Sequence, residues 1–205
     1  MRVFLTGVSC VGKTTIGRKL SKLLGLGFFD VDEEIEVFFG TSIERLQNRF
    51  IAMHSFHEEA AETLVHLLGR PESRESVMAL PPSGLMGRYL RVLKKSPGTR
   101  VVLCDLPEKI LERIVFYDVD SRPIEKSLTA PEKRIYLRQI KKDITYFRRS
   151  YERANLQVDI SGLGVDEAAQ RVKLILEATY RKVPGRRPSE QTVTGDAGSL
   201  GSASR

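Results

Sequence analysis

Gly7, Gly12, Lys13 and Thr14 match the spacing G-x-x-x-x-G-K-[ST] inside "GVSCVGKTT", residues 7–15. The chemistry of that pattern is phosphate binding. Successive backbone N–H groups turn toward phosphate oxygens at a helix N-terminus, where unpaired donors and the helix dipole already favour an anion. On this reading Gly7, Val8, Ser9, Cys10, Val11, Gly12 and Thr15 shape the cradle. Lys13 reaches the β- and γ-phosphates of ATP, and the Thr14 hydroxyl holds Mg²⁺. Cys10 stands where many such loops carry glycine. A second pair of groups follows in "FFDVDEEIE", residues 28–36, where Asp30 and Asp32 flank a single residue. On an extended segment side chains two apart point the same way, so both carboxylates are expected to face the phosphates. One would serve the metal and the other would accept a proton from an attacking hydroxyl. An acid that merely caps the next helix is the alternative.

Such groups need a rigid frame. Short apolar runs at residues 3–5, 27–29, 77–80, 101–104 and 156–160 read as strands covered on both faces. Helical patterns lie between them: Ile16, Leu20, Leu23 and Leu24 follow Lys13, and Val165, Ala169, Val172 and Leu176 recur near the end. Alternating strand and helix predicts a three-layer α/β domain over residues 1–180 with a parallel sheet. The long insertions at 41–70 and 111–150 are expected to supply substrate and lid elements.

The chain has 205 residues, 41% of them hydrophobic and 29% charged, which is the balance of a soluble globular protein. No run of about 18 apolar residues is present, so no membrane span is expected. Two cysteines and three histidines make neither a disulfide framework nor metal-ligand spacing, and a reduced, cytoplasmic monomer is the expectation. The net charge of +7 is uneven along the chain: residues 181–205 hold five Lys/Arg and two Asp/Glu among Gly, Ser and Pro. They read as a disordered basic tail. Other basic residues gather in "RQIKKDITYFRRSYER", residues 138–153. With no zinc-finger spacing and no basic-aromatic signature, nucleic acid is not an expected partner.

The order of "GVSCVGKT", "FFDVDEEIE", "GTSI" at 40–43 and "DSRPIEKSL" at 120–128 resembles the shikimate kinase family over residues 1–178. The resemblance implies a P-loop kinase fold with a five-stranded parallel sheet, and ATP- and Mg²⁺-dependent phosphorylation of a small hydroxylated acceptor, shikimate to shikimate 3-phosphate. It also implies roles. Lys13, Asp32 and Arg122 are catalytic, with Asp32 the general base and Arg122 closing from the lid over the phosphates. Asp30 supports the metal through water, and Arg113 is similar to the residue that stacks on adenine.

The acceptor side departs from the family pattern. Where three glycines are expected the chain reads "VMALPPSGLMG". Pro81 and Pro82 carry no N–H, which leaves Ser83 and Gly84 as donors to the acceptor. His57 follows Phe56 where the family has an arginine for the acceptor carboxylate, and imidazole cannot make the guanidinium fork. Arg148 and Arg149, before Tyr151, are the candidates for a second such arginine. Two other readings remain open. One is a nucleotide-binding regulatory protein without phosphoryl transfer, and the other a P-loop ATPase using Asp105, at the end of "VVLCD", as its metal aspartate.

Overall fold

A computed structural model describes residues 1–181, so the expected tail lies outside the described residues except for Arg181. Five parallel strands form one sheet: β1 (Arg2–Thr6), β2 (Gly27–Asp30), β3 (Ser76–Ala79), β4 (Thr99–Cys104) and β7 (Leu156–Asp159). Their order is β2-β3-β1-β4-β7. Consecutive residues such as Val3, Phe4 and Leu5, or Val77, Met78 and Ala79, are all buried. Because neighbours on a strand point to opposite faces, both faces of the sheet are covered. All five strands expected from the sequence are present.

The helices are α1 (Lys13–Leu24), α2 (Val31–Phe39), α3 (Ile43–Gln47), α4 (Met53–Gly69), α5 (Gly87–Lys94), α6 (Pro107–Glu112), α7 (Ala130–Tyr151) and α8 (Val165–Arg181). Helix α1 packs on α8, α4 on α5, and α6 on α7. A capping box starts α7: the Thr129 hydroxyl accepts from the Glu132 N–H while Glu132 accepts from the Thr129 N–H. A two-stranded antiparallel hairpin, β5 (Phe116–Tyr117) and β6 (Pro123–Ile124), stands apart from the main sheet. The lid motif at residues 120–128 overlaps this hairpin.

One local expectation is corrected. The backbone leaves the sheet at Asp30, and α2 begins at Val31, so Asp32 sits on the first helical turn and not on an extended segment. The Asp30 carboxylate accepts the Asp32 N–H at 3.0 Å, because a helix start needs acceptors for its orphan donors. The cap and the candidate pair are therefore the same structure. No helix of the described residues is long and apolar enough to cross a membrane.

Candidate active site

The loop from β1 to α1 has the backbone its phosphate motif requires. Gly7 has φ 147°, and a Cβ there would lie 2.7 Å from the Leu103 carbonyl oxygen, so any side chain would push β1 and β4 apart. Gly12 has φ 104°. Cys10 sits at φ 60°, a left-handed conformation that costs a non-glycine residue on the order of 1 kcal/mol. Its place in the loop explains why glycine is common there. The Lys13 ammonium donates to the Gly7 and Val8 carbonyls at 3.0 Å each and so lies across the loop. Burial lowers its pKa, while Asp32, Asp30 and Cys10 act to raise it.

Thr14 links the loop to the carboxylates. Its hydroxyl donates to Asp30 Oδ2 at 2.5 Å, and Asp30 Oδ1 holds the Asp32 N–H. Buried Asp30 thus joins the start of α1 to the start of α2. Among the described residues no cluster of three His, Cys, Asp or Glu could hold a metal alone. The pair Thr14 and Asp30 still fits Mg²⁺, which binds through few protein oxygens and keeps waters and substrate phosphates as its other ligands. The Asp32 carboxyl is pushed up from 3.8 to about 6, chiefly by burial and next by Asp30, with Lys13 opposing.

That shift has a measurable sign. A carboxyl whose folded value is raised adds stability below its ordinary pKa and loses it as pH rises through about 6. In a ¹³C NMR titration of the nucleotide-free protein the Asp32 carboxyl is expected to titrate near 6. A midpoint near 4 would show that neither burial nor Asp30 governs this group.

On the nucleotide side, Arg113 donates to the Val11 carbonyl at 3.2 Å and pairs with Asp105 at 2.6 Å. The Asp105 side chain is fully buried. Its Oδ2 pairs ionically with Arg113 without a hydrogen bond and its Oδ1 accepts the Leu106 N–H at 2.7 Å, whereas Thr14 donates to Asp30 as its carboxylate. This favours Asp30 over Asp105 as the metal-side group. A cavity of about 180 Å³ beside the loop is lined by Val8, Ser9, Cys10, Ile110, Ile114 and Tyr136, among others.

The candidate acceptor side lies beyond the ends of β2 and β3, which are neighbours with Asp30 opposite Ala79. Open parallel sheets bind ligands at such strand ends. The turn after β3 is tied down: Pro81 O accepts from Gly84 N–H at 2.8 Å and from the Thr6 hydroxyl at 3.4 Å, and Pro82 O accepts from Tyr151 at 3.3 Å. Gly84 was expected to offer its N–H to an acceptor, but that donor is consumed inside the turn. The Ser83 hydroxyl is buried and has no partner among the described residues. Tyr89, missed in the sequence, is buried on α5, and its phenol is pushed up by burial and by the charge of Asp32. Its only signal was a tyrosine opening the helix after that turn.

The basic residues expected here are not gathered. Ile140, Phe147 and Tyr151 lie on the inward face of α7, where Phe147 stacks on Tyr151 with ring centroids 5.7 Å apart. At ~100° per residue Arg149 falls on the far side of the helix and Arg148 at its flank. Both are exposed. His57 is half-buried beside Phe56, and burial, with His54 contributing, lowers its pKa. Arg122 is exposed at the hairpin, its N–H bonded to Asp118 Oδ1 at 2.9 Å.

A phosphate loop, a hydroxyl–carboxylate link and a hairpin lid around the ends of parallel strands define a nucleotide-dependent kinase of the P-loop class. The family profile "Shikimate kinase" matches residues 9–177. A shikimate kinase of Aquifex aeolicus is 32% identical over 161 residues, 77% of this chain and 86% of that protein. One from Chlorobium limicola is 36% identical over 112 residues, 55% of this chain and 54% of the relative. The crystal structure of shikimate kinase from Aquifex aeolicus matches with a TM-score of 0.66 at 29% identity, covering 88% of this chain and 98% of that one. The chain belongs to the shikimate kinase family.

Proposed function

We propose that this protein transfers the γ-phosphoryl group of Mg-ATP to a hydroxyl of a small acceptor held between Asp32 and the turn at 80–86, and that the acceptor is shikimate, after which its relatives are named. The observation that carries the reading is the chain Thr14–Asp30–Asp32, which sets a metal-side pair and a half-buried carboxyl beside Lys13. Bound Mg²⁺ would screen the phosphates and orient the transferred group. Thr14 and Asp30 hold its shell, Lys13 takes the phosphate charge, and Asp32 receives the acceptor hydroxyl's proton. Arg122 covers the phosphates from the lid. Arg113 and the cavity beside Cys10 take the base, and Ser83 contributes its buried hydroxyl to the acceptor. We place the protein in the cytoplasm as a monomer.

A second reading, transfer to an uncharged polyol, is favoured by the acceptor side itself. His57 is held toward its neutral form, and Arg148 and Arg149 face solvent. A buried carboxylate without its arginine loses on the order of 2 to 5 kcal/mol. Coupled ADP release with shikimate, inositol or no acceptor separates the readings. We expect shikimate to stimulate release at a high KM, and His57→Arg to lower that KM about tenfold or more by supplying the missing fork. Stimulation by inositol alone would move the assignment to the polyol. No stimulation by either, with Mg-ATP bound, would leave a nucleotide-binding protein without transfer.

A further inference from the structure

The tip of the hairpin lid, residues 118–122, rests on the acceptor side of the molecule. Three consecutive tip residues each meet a different group there. The Val119 carbonyl accepts from the Ser42 hydroxyl at 2.5 Å, Asp120 Oδ1 pairs with Arg45 Nε at 2.8 Å, and the Ser121 hydroxyl donates to Glu36. The tip is stiff enough to be held as a unit. Asp118 Oδ1 accepts the N–H groups of Asp120 and Arg122 at 2.8 and 2.9 Å, and Asp118 N–H reaches the Arg122 carbonyl at 2.9 Å. A tip fixed at 119–121 therefore fixes the backbone of Arg122.

The receiving surface is equally ordered. Glu36 Oε1 accepts the Ile43 N–H at 2.9 Å as well as the lid hydroxyl, so one carboxylate oxygen fastens both the start of α3 and the lid. Ser42 caps α3 by accepting the Arg45 N–H at 3.3 Å while it donates to the lid. Glu36 lies one helical turn after Asp32 on α2, so the two share a face.

We propose that Glu36, Ser42 and Arg45 form a seat for the lid tip, and that Glu36 is a positioning residue that registers the lid arginine to the helix carrying Asp32. Lid docking then depends on the acceptor-side helices and not only on the nucleotide. The functional consequence rests on the phosphotransfer reading; the seat itself does not.

Two readouts on the full chain keep these apart. In hydrogen exchange with Mg-ADP present, Glu36→Ala is expected to speed exchange of the amides of residues 116–122 and 124 at least about fivefold, while α1 keeps its protection. Glu36→Gln, which retains the accepting oxygen, should restore most of the lid protection. Arg45→Asp and Asp120→Arg, both at exposed positions, should each loosen the lid, and the double variant should recover it. In turnover, Glu36→Ala and Arg45→Asp are expected to lower kcat about tenfold with the Mg-ATP Kd within about twofold. Unchanged lid exchange in Glu36→Ala, or a double variant no better than the singles, overturns the seat. Loosened lid exchange in a protein whose unaltered form transfers no phosphate supports the seat and overturns the phosphotransfer reading alone.

Discussion

Replacing Lys13 with alanine is expected to weaken Mg-ATP binding at least about tenfold and to reduce turnover by ~10²-fold or more, the scale on which preorganised charge stabilisers act. Among the described residues Lys13 is the cation whose charge lowers the pKa of Asp32, where Asp30, Glu36 and Glu33 all raise it. Removing it takes away the positive charge that offsets Asp30 and Asp32 beside the phosphate loop. It also removes the strap across the loop at Gly7 and Val8. Lys13→Arg separates these losses: the charge stays, but a planar fork cannot reproduce a compact ammonium on two carbonyls. It should bind nucleotide better than the alanine variant and still turn over poorly. Calorimetric titration with Mg-ATP and coupled ADP release read the two effects. Unchanged affinity and rate in Lys13→Ala would remove the loop from the chemistry.

The phosphate loop was legible because its function is local: glycines at fixed positions, a lysine and a threonine, set between an apolar run and a helical pattern. The five strands were legible for a similar reason, since a sheet buried on both faces makes short continuous apolar runs. Asp30 and Asp32 are neighbours, but not through the extended geometry expected of them. Their proximity comes from a helix cap, an interaction the spacing D-x-D equally allows. Arg148 and Arg149 misled because proximity in sequence to Tyr151 says nothing of helix phase, and the inward phase belongs to Ile140, Phe147 and Tyr151. The lid seat was out of reach. Ser42 and Val119 are 77 residues apart, and Ser121 and Glu36 are 85 apart. No periodicity in either segment encodes that meeting, although Glu36 one turn after Asp32 marked a second acid on the same face.

Asp32→Asn and Asp105→Asn are expected to fail in opposite ways. Asparagine keeps the shape of Asp32 but cannot accept a proton from the acceptor hydroxyl. A positioned base contributes about 10²- to 10⁴-fold, so kcat should fall by that factor. Affinity for Mg-ATP should hold within about threefold, because Thr14, Asp30 and Lys13 remain in place. Asp105 is buried and neutralises Arg113, which in turn holds the Val11 carbonyl of the phosphate loop. Asp105→Asn leaves that guanidinium without its counter-charge and loosens the nucleotide side of the loop. Its expected signature is a Kd for Mg-ATP raised about tenfold, with kcat at saturating nucleotide largely kept. Single-turnover measurements at saturating Mg-ATP distinguish a lost chemical step from lost binding. Should Asp105→Asn instead abolish the chemical step while Asp32→Asn leaves it intact, the strand-end aspartate would be the metal ligand of an ATPase, and the link from Thr14 to Asp30 would be a helix cap and nothing more.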